Sequence, residues 1–465
     1  MGAEGSDAVA PGPAPTTAQR AALAVAVTVG VVLRWWNLGG PMASFDEAFT
    51  GVYSHLPIGE VPGALRRSDA HPPLDYLVRH WFGSNGDTLA LRAPSAVFAT
   101  ATLLVMVAWM WRRGWYGVAV VALTSVSSFE LLYGHTARMY ALVVLCGTVA
   151  AVATERWLQD PRPRCRWIVC GALLVGLFDH SSVLLLAGAL LVVPGLRTDR
   201  AAWRWRAGIA GSVVIWAGVW GPSFYDQLRH QSSSWIPFTS VGSTLDAMNG
   251  MVTMYDGLGV VVLALGAAGA LLLHRDDRRL TRVWLVLFLV PFVAAIVIGV
   301  RLHFLLPRTL AFAAWAPPLA FAAIIERARR ASMPIAVVVA VLIGLVVVPS
   351  IGPAIGYQEE SAGARRALAA DVRPGDAVVV HPEWLWPLVG WDLGAPRAGE
   401  VPSELEDLDA FVFVVGDAPF DGRVWVLQPD SYAMATPGLA PCLGVDRRGI
   451  GDYLLDCYTT PLAGS

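Results

Sequence analysis

An Asp-Glu pair, Asp46-Glu47, directly follows the first long apolar segment of the chain and is the pair of residues best placed to do chemistry. A carboxylate held beside a membrane is costly unless it has a task, and fixed carboxylates commonly act as general bases. Asp46 and Glu47 are therefore the predicted catalytic residues.

The segment that carries this pair, residues 39 to 87, is much longer than a connection between two spans requires, and long loops in compact proteins are usually functional. It contains His71-Pro72-Pro73, in which the two prolines restrict the backbone and aim His71 in a defined direction. Taken alone, each motif has a simpler interpretation, as a solvated charge pair or an ordinary turn. His71 is a predicted substrate-binding residue.

The elements that position these residues are predicted to be membrane helices. The chain has 465 residues, of which 55% are hydrophobic and 15% charged, and its apolar residues occur in runs of about 20. The prediction is a polytopic α-helical membrane protein with about eleven spans, lying near residues 21–38, 88–110, 115–133, 138–157, 167–180, 181–196, 205–222, 255–273, 282–300, 307–325 and 333–352.

Arginine placement predicts the orientation of these spans. Alternate short loops carry most of the arginines, and the arginine-rich side is normally cytoplasmic. With the N-terminus inside and an odd number of spans, the loop 39–87 and the C-terminal segment lie on the extracytoplasmic side of a bacterial inner membrane. An even number of spans would place the C-terminal segment in the cytoplasm. The arginines that decide this are Arg112, Arg113, Arg156, Arg162, Arg164, Arg166, Arg197, Arg200, Arg204, Arg206, Arg275, Arg278, Arg279, Arg282, Arg327, Arg329 and Arg330.

Three domains are predicted: a disordered cytoplasmic tail over 1–19, a transmembrane catalytic domain over 20–355, and a small extracytoplasmic α/β domain over 356–465. The last domain shows one helical pattern (364–372) and strands at 377–380, 411–415, 424–427 and 452–458. Cys442 and Cys457 both lie in it, and an oxidising compartment permits a disulfide between them. The net charge of −2 gives no indication of a nucleic-acid partner.

Five short motifs occur in an order that resembles the membrane glycosyltransferases of the GT-C fold, in particular the branch of protein O-mannosyltransferases and lipid A aminoarabinose transferases. They are LRWWNL from Leu33, FDEA from Phe45, HPPLDY from His71, LRAPS from Leu91 and ARMY from Ala137. The resemblance covers roughly residues 30 to 320, is strongest before residue 145, and does not extend to the C-terminal domain.

The resemblance implies an inverting transferase that takes a sugar from a polyprenyl-phosphate donor in the bilayer and passes it to a hydroxyl of a protein, lipid or polysaccharide acceptor. The family's acidic residue after the first span corresponds to Asp46, with Glu47 beside it. A carboxylate there would deprotonate the acceptor hydroxyl as it attacks the anomeric carbon.

The implied leaving group is a lipid phosphate, whose growing negative charge must be met by cations or a metal. An arginine binds phosphate at two points, so Arg138 and Arg308, followed by Arg301, are the predicted donor-phosphate residues. Such arginines could equally extend to lipid headgroups. No cofactor is indicated with certainty, and a divalent metal is left open.

Further predicted substrate-binding residues are Tyr140, Tyr133, Glu130 and His180. Tyr140 belongs to the same motif as Arg138, Glu130 and Tyr133 precede that arginine, and His180 lies between two spans, where it could instead cap a helix. Many relatives place an acidic residue beside this arginine. This chain has His135-Thr136-Ala137 there, so a second carboxylate would have to be Glu130 or come from elsewhere in the chain.

Three alternative functions share part of this pattern. A flippase or polymerase of lipid-linked glycans would use the same substrate class but normally has its long outer loop late in the chain. A transporter should show paired repeats and broken apolar segments at the midplane, and the sequence shows no repeat. A receptor would bind its ligand through the C-terminal domain alone.

Overall fold

The structure is a computed structural model of the chain, and it describes residues 13–69, 71–82, 86–196, 200–230, 236–357, 359, 361–382, 385–393, 411–415, 420, 423–429, 440–442, 448–450 and 453–459. The chain divides into two compact units. Unit 1 consists of Met1–Leu38, Pro62–Asp75 and Arg92–Gly356, and unit 2 consists of Gly39–Val61, Tyr76–Leu91 and Tyr357–Ser465. The C-terminal segment thus shares a unit with two stretches of the predicted first loop.

Helices dominate the described residues. In chain order they are α1 (Thr17–Trp35), α2 (Phe45–Ser54), α3 (Val61–Ser68), α4 (Leu74–His80), α5 (Thr88–Met110), α6 (Gly114–Ser125), α7 (Ser128–Gly134), α8 (Tyr140–Gln159), α9 (Pro163–Asp179), α10 (Val183–Val192), α11 (Arg200–His230), α12 (Val241–Gly250), α13 (Gly259–Asp276), α14 (Arg278–Trp284), α15 (Val290–Gly299), α16 (Ala316–Ala331), α17 (Met333–Val347), α18 (Ile351–Ile355), α19 (Ala362–Asp371) and α20 (Trp386–Asp392). A π-helical turn, Leu285–Leu289, joins α14 to α15, and a 3-10 segment, Pro307–Ala313, precedes α16.

Seven helical stretches of the described chain are long and apolar enough to cross a membrane, so this is a multi-pass membrane protein. Two bent pairs raise the number to nine if each counts as one span: α6 with α7, bent by 46°, and Pro307–Ala313 with α16, bent by 68°. The predicted count of eleven is not confirmed, because α9 has 17 residues and α10 only 10.

Local sequence accounts for where these helices begin and break. Thr16 starts α1 with a capping box, in which its side chain and that of Gln19 satisfy each other's backbone N–H groups. Helix α1 begins at Thr17, within the stretch predicted as a tail, and residues 1–12 of that tail lie outside the described residues. The predicted span 115–133 is broken because the Ser127 hydroxyl accepts the Glu130 N–H and starts α7 as a separate helix.

Helix α8 is largely buried and packs closely against the segment before α16. A Cβ atom on Gly147 would lie 1.8 Å from the Phe312 carbonyl oxygen, so only glycine allows the two backbones to approach this closely. Gly269 of α13 makes a similar approach to the Ala320 carbonyl of α16. These contacts leave the start of α8 and the 3-10 segment with little freedom to move apart.

Unit 2 contains a mixed sheet of six strands in the described residues. They are β1 (Ala377–Val380), β2 (Phe411–Val414), β3 (Arg423–Pro429), β4 (Ala440–Pro441), β5 (Arg448–Ile450) and β6 (Tyr453–Thr459). Their order is β2-β1-β3-β6-β4, with β5 also paired to β6; β1 and β3 are parallel, and the other pairs are antiparallel. Four of these strands and α19 overlap the sequence predictions, whereas α20, β4 and β5 were not foreseen.

An ion-pair network and a disulfide link parts of the sheet region. The buried Asp376 carboxylate accepts hydrogen bonds from Arg423 Nε at 2.8 Å, Arg423 Nη2 at 2.6 Å and Trp425 Nε1 at 2.9 Å. Cys442 and Cys457 are joined by a disulfide whose Cα atoms lie 5.4 Å apart. Both features connect neighbouring parts of the same sheet.

Candidate functional site

Three of the sequence motifs come together in unit 1. The Ser95 hydroxyl of LRAPS donates to the Thr136 carbonyl at 2.8 Å and reaches the Arg138 carbonyl at 3.5 Å. Arg92 donates to the Leu38 carbonyl at 3.0 Å, and His135 Nε2 lies 3.1 Å from the Trp36 carbonyl. These bonds hold the backbone around Arg138 in place from two neighbouring segments.

Arg34 and Glu130 form a buried ion pair beneath this arrangement. Arg34 Nη2 lies 2.6 Å from Glu130 Oε2, and the two side chains are 0% and 1% exposed. The remaining Arg34 donors reach the carbonyls of Gly30, Ala99, Thr124 and Ser125. Glu130 therefore has a structural partner that the sequence did not reveal, and its predicted contact with substrate stays a proposal.

Four ring-bearing residues of unit 1 form a continuous aromatic group. The His71 and His180 ring centroids are 4.7 Å apart, those of Tyr140 and His180 5.5 Å, and those of Tyr133 and Tyr140 4.6 Å. The Arg308 guanidinium carbon lies 5.9 Å from the centre of the Tyr140 ring, in cation–π range. We call His71, Tyr133, Tyr140, His180, Arg138 and Arg308 the basic-aromatic cluster.

Arg138 belongs to this cluster through its charge. His180 interacts electrostatically with both Arg138 and Arg308. Arg138 is buried at 5% exposure, in the turn before α8, and Arg308 is half-buried at the start of the 3-10 segment. Arg301, the third predicted phosphate residue, is exposed in the turn after α15, and within the described residues no ion pair or ring contact joins it to the cluster.

His180 has a defined orientation in the connection between α9 and α10. Its Nδ1 accepts the Ser182 N–H at 3.0 Å, which leaves Nε2 as the ring nitrogen that carries the proton when the imidazole is neutral. Asp69, which is buried and two residues before His71, also interacts electrostatically with His180. Sequence reasoning missed Asp69, although its spacing from His71 was a usable signal.

The predicted catalytic pair lies in unit 2, in the first turn of α2. The Glu47 carboxylate accepts the Ser44 N–H at 2.9 Å, and the Ser44 hydroxyl accepts the Glu47 N–H at 3.4 Å, which completes a capping box. Glu47 is thus buried and engaged at the helix start, whereas Asp46 is half-buried. The positive end of the helix favours a negative charge at this turn.

Residues of the C-terminal segment anchor the same turn. Glu359 Oε1 accepts the Phe45 N–H at 2.8 Å, and Arg365 donates to the Ala43 carbonyl at 2.7 Å while its guanidinium pairs with Asp392. Burial raises the pKa of the Glu359 carboxyl, the Phe45 N–H and Arg365 lower it, and the charge of Asp46 raises it further. Sequence reasoning could not find these partners, because more than 300 residues separate them from α2.

The described residues contain no group of three His, Cys, Asp or Glu side chains that could hold a metal ion. The basic-aromatic cluster combines two guanidinium groups, which can bind an anion, with several ring faces, on which a second group of the same ligand can stack. The α2 turn presents a carboxylate, which suits proton transfer.

Comparisons with known proteins agree with this fold. Two solved structures of ArnT from Cupriavidus metallidurans, one bound to undecaprenyl phosphate and one in the apo state, each match with a TM-score of 0.58 and 14% identity. The first covers 93% of this chain and 97% of ArnT, the second 95% and 98%. The oligosaccharyltransferase AglB from Archaeoglobus fulgidus matches less well, with a TM-score of 0.48, 12% identity and coverage of 82% of this chain and 64% of AglB.

The likeness to ArnT extends over nearly the whole length of both chains, and it confirms the GT-C fold predicted from the motifs. No protein-family model matches the sequence, and no curated protein is significantly similar to it. At 14% identity the likeness shows the fold and leaves the activity to be argued from the residues.

Proposed function

We propose that this chain is an inverting glycosyltransferase that moves a sugar from a polyprenyl-phosphate donor to an acceptor hydroxyl on the outer face of the membrane. The basic-aromatic cluster carries the proposal, because it joins two arginines to a set of ring faces within a GT-C fold. The ArnT structure bound to undecaprenyl phosphate supports the same donor class.

Arg138 and Arg308 are assigned to the donor phosphate, with Arg301 as a third candidate. As the bond between the anomeric carbon and the phosphate oxygen breaks, its electron pair stays on the phosphate, and fixed guanidinium groups stabilise that charge. The cation–π contact with Tyr140 holds the Arg308 head group in place before the donor arrives. His180 Nε2 can donate a further hydrogen bond to the phosphate or to a sugar hydroxyl.

Ring faces in the cluster are assigned to the sugar. His71, Tyr133 and Tyr140 offer apolar surfaces with polar edges, which suit a ring that has C–H groups on its faces and hydroxyls at its rim. Glu130 is retained as a weaker candidate, because one carboxylate oxygen is used by Arg34.

Asp46 is assigned as the general base. In this step the acceptor oxygen forms a bond to the anomeric carbon on the face opposite the phosphate, and its proton passes to the Asp46 carboxylate. Glu47 is assigned a supporting role at the same helix start. The proposal also covers an acceptor that is a protein, lipid or polysaccharide, and a total of eleven spans. It assigns no residue to a divalent metal.

Binding of undecaprenyl phosphate to the purified protein tests the phosphate assignment. Each charge-assisted hydrogen bond lost should cost about 1.5 to 3 kcal/mol, so Arg138→Ala and Arg308→Ala should each weaken binding by roughly 10- to 150-fold. Arg204→Ala is the matched control, since Arg204 is exposed and makes no ion pair within the described residues. Unchanged affinity in both cluster variants would remove the phosphate role.

Release of labelled sugar from a panel of polyprenyl-phosphate mannose and pentose donors tests the base. Asp46→Asn should keep donor binding and lose at least roughly 10²-fold in turnover. Glu47→Gln preserves a side-chain acceptor for the Ser44 N–H and should retain much more activity. Wild-type turnover in Asp46→Asn would refute the base assignment, whatever the result for the arginines.

A further inference from the structure

A cavity lies in unit 1, at the end of α5 and around the turn between α8 and α9. It has a volume of about 640 Å³. Its wall is apolar and comes from three helices: Val105 and Ala108 of α5, Val149 of α8 and Ile168 of α9 line it. Its mouth is polar and includes Arg156, Arg162, Arg164, Asp160 and Gln159.

Two of the three arginines at this mouth, Arg156 and Arg164, are not neutralised by nearby acids within the described residues. Asp160 already forms an ion pair with the Arg162 Nε. The closest carboxylate on α8, Glu155, accepts hydrogen bonds from Trp109 Nε1 and Arg113. Arg156 and Arg164 are exposed and make no ion pair in the part of the chain that the structure describes.

An interfacial tryptophan marks the depth of this mouth in the bilayer. Trp167 is 64% exposed, and the Arg166 guanidinium carbon lies 4.9 Å above its ring. Exposed tryptophans concentrate at the level of the lipid headgroups. The arginines therefore lie at the depth of the lipid phosphates, and the apolar wall of the cavity lies at the depth of the lipid acyl chains.

We infer that this cavity binds one anionic phospholipid of the adjoining leaflet, with its phosphate between Arg156 and Arg164 and one acyl chain against Val149 and Ile168. Charge complementarity selects an anionic lipid, since the mouth carries three arginines and one aspartate. The apolar wall selects a lipid over a free anion. This site is separate from the basic-aromatic cluster and does not depend on the proposed transferase activity.

The test measures phospholipid bound to the full chain by native mass spectrometry after release from nanodiscs of phosphatidylcholine with phosphatidylglycerol. Each arginine near an anionic surface contributes about 1 kcal/mol, so Arg156→Gln with Arg164→Gln should weaken phosphatidylglycerol binding roughly 30-fold. The matched control is Arg204→Gln with Arg278→Gln, since both arginines are exposed and lie outside the cavity.

A second variant tests the apolar wall without changing charge. Val149→Phe fills the space meant for the acyl chain and should displace the lipid while all three arginines remain. The inference is overturned if the control pair loses lipid as much as the cavity pair does, or if Val149→Phe binds phosphatidylglycerol as wild type does. It is also overturned if inorganic phosphate competes with the lipid at equal concentration, because the site would then recognise the anion alone.

Discussion

Breaking the buried ion pair between Arg34 and Glu130 should strongly destabilise unit 1. The perturbation is a double-mutant cycle of Arg34→Met, Glu130→Leu and the two substitutions together, with Glu130→Gln as an additional single variant. Arg34 belongs to α1 and Glu130 to α7, so the cycle measures how much one buried charge pair contributes to joining these helices.

The magnitude follows from burial and from the partners left behind. Both side chains are almost completely buried. Removing one member of such a pair typically costs about 3 to 5 kcal/mol, because the other charge stays buried without its partner. Arg34→Met should lie at the upper end, since four backbone carbonyls also lose a donor. Glu130→Gln should cost about 3 kcal/mol, since the amide keeps an acceptor for Arg34.

The variant in which both Arg34 and Glu130 are replaced by apolar residues should lose less stability than the two single variants lose when their losses are added. With both charges gone, no unpaired ion remains in the protein interior, so a coupling energy of about 2 to 3 kcal/mol is expected. Unfolding in mixed micelles of increasing denaturing-detergent content, followed by tryptophan fluorescence, provides the measurement. Arg20→Met is the control, because Arg20 lies on the same helix but is exposed, and it should shift stability by less than about 0.5 kcal/mol.

The cycle also separates two roles for Glu130. A structural role predicts a large loss of stability in Glu130→Gln with donor binding intact in the fraction that stays folded. Stability within about 1 kcal/mol of wild type for Glu130→Gln, or single effects that simply add in the double variant, would refute the ion-pair reasoning. Loss of donor binding without loss of stability would instead favour the substrate role.

Two further predictions concern other parts of the chain. Gly147→Ala should destabilise the protein by about 1 to 3 kcal/mol and weaken lipid-phosphate binding, because the new methyl group pushes on the Phe312 carbonyl of the segment that carries Arg308. Gly171→Ala is the control, since nothing lies within 4 Å of its new methyl group, and it should change neither stability nor binding in the same assays. Burial raises the pKa of the Glu359 carboxyl above its ordinary 4.5, so the native state binds the carboxyl proton more tightly than the unfolded state does. The protonated carboxyl therefore contributes stability that is fully present below pH 4.5 and is lost as the pH rises through the native pKa. Melting curves from pH 4 to 8 should therefore show Glu359→Gln at least as stable as wild type at pH 7 and with a smaller fall above pH 4.5, and an equal fall in both proteins would contradict this.

The membrane fold was largely readable from the sequence, because the bilayer allows few alternatives to apolar helices. Helix α5 spans the same residues that were predicted, and the motifs identified the GT-C fold. The breaks were harder to predict: the Ser127 cap that starts α7 is a local signal that apolar periodicity overlooks, and the close approach of Gly147 to the segment before α16 is a tertiary contact. A tertiary contact of this kind leaves no periodic signal in the sequence.

Part of the arrangement of the candidate site could be anticipated from the sequence motifs, and its function stays a prediction. Short motifs identified Arg138, Tyr140 and His71, and the structure brings His71 and Tyr140 to the same histidine, His180. The buried partnership of Glu130 was invisible, because nothing in the sequence reveals which arginine a carboxylate will meet.

The anchoring of α2 by the end of the chain affects how the protein matures during synthesis. The Phe45 N–H and its acceptor Glu359 are 314 residues apart, and Trp391 packs against Gly51 of the same helix. A ribosome must therefore translate more than three quarters of the message before the helix that carries Asp46 can acquire these partners. Nascent chains that stop at residue 356 should insert into the bilayer yet leave that helix vulnerable to proteases, so catalytic competence would arrive last.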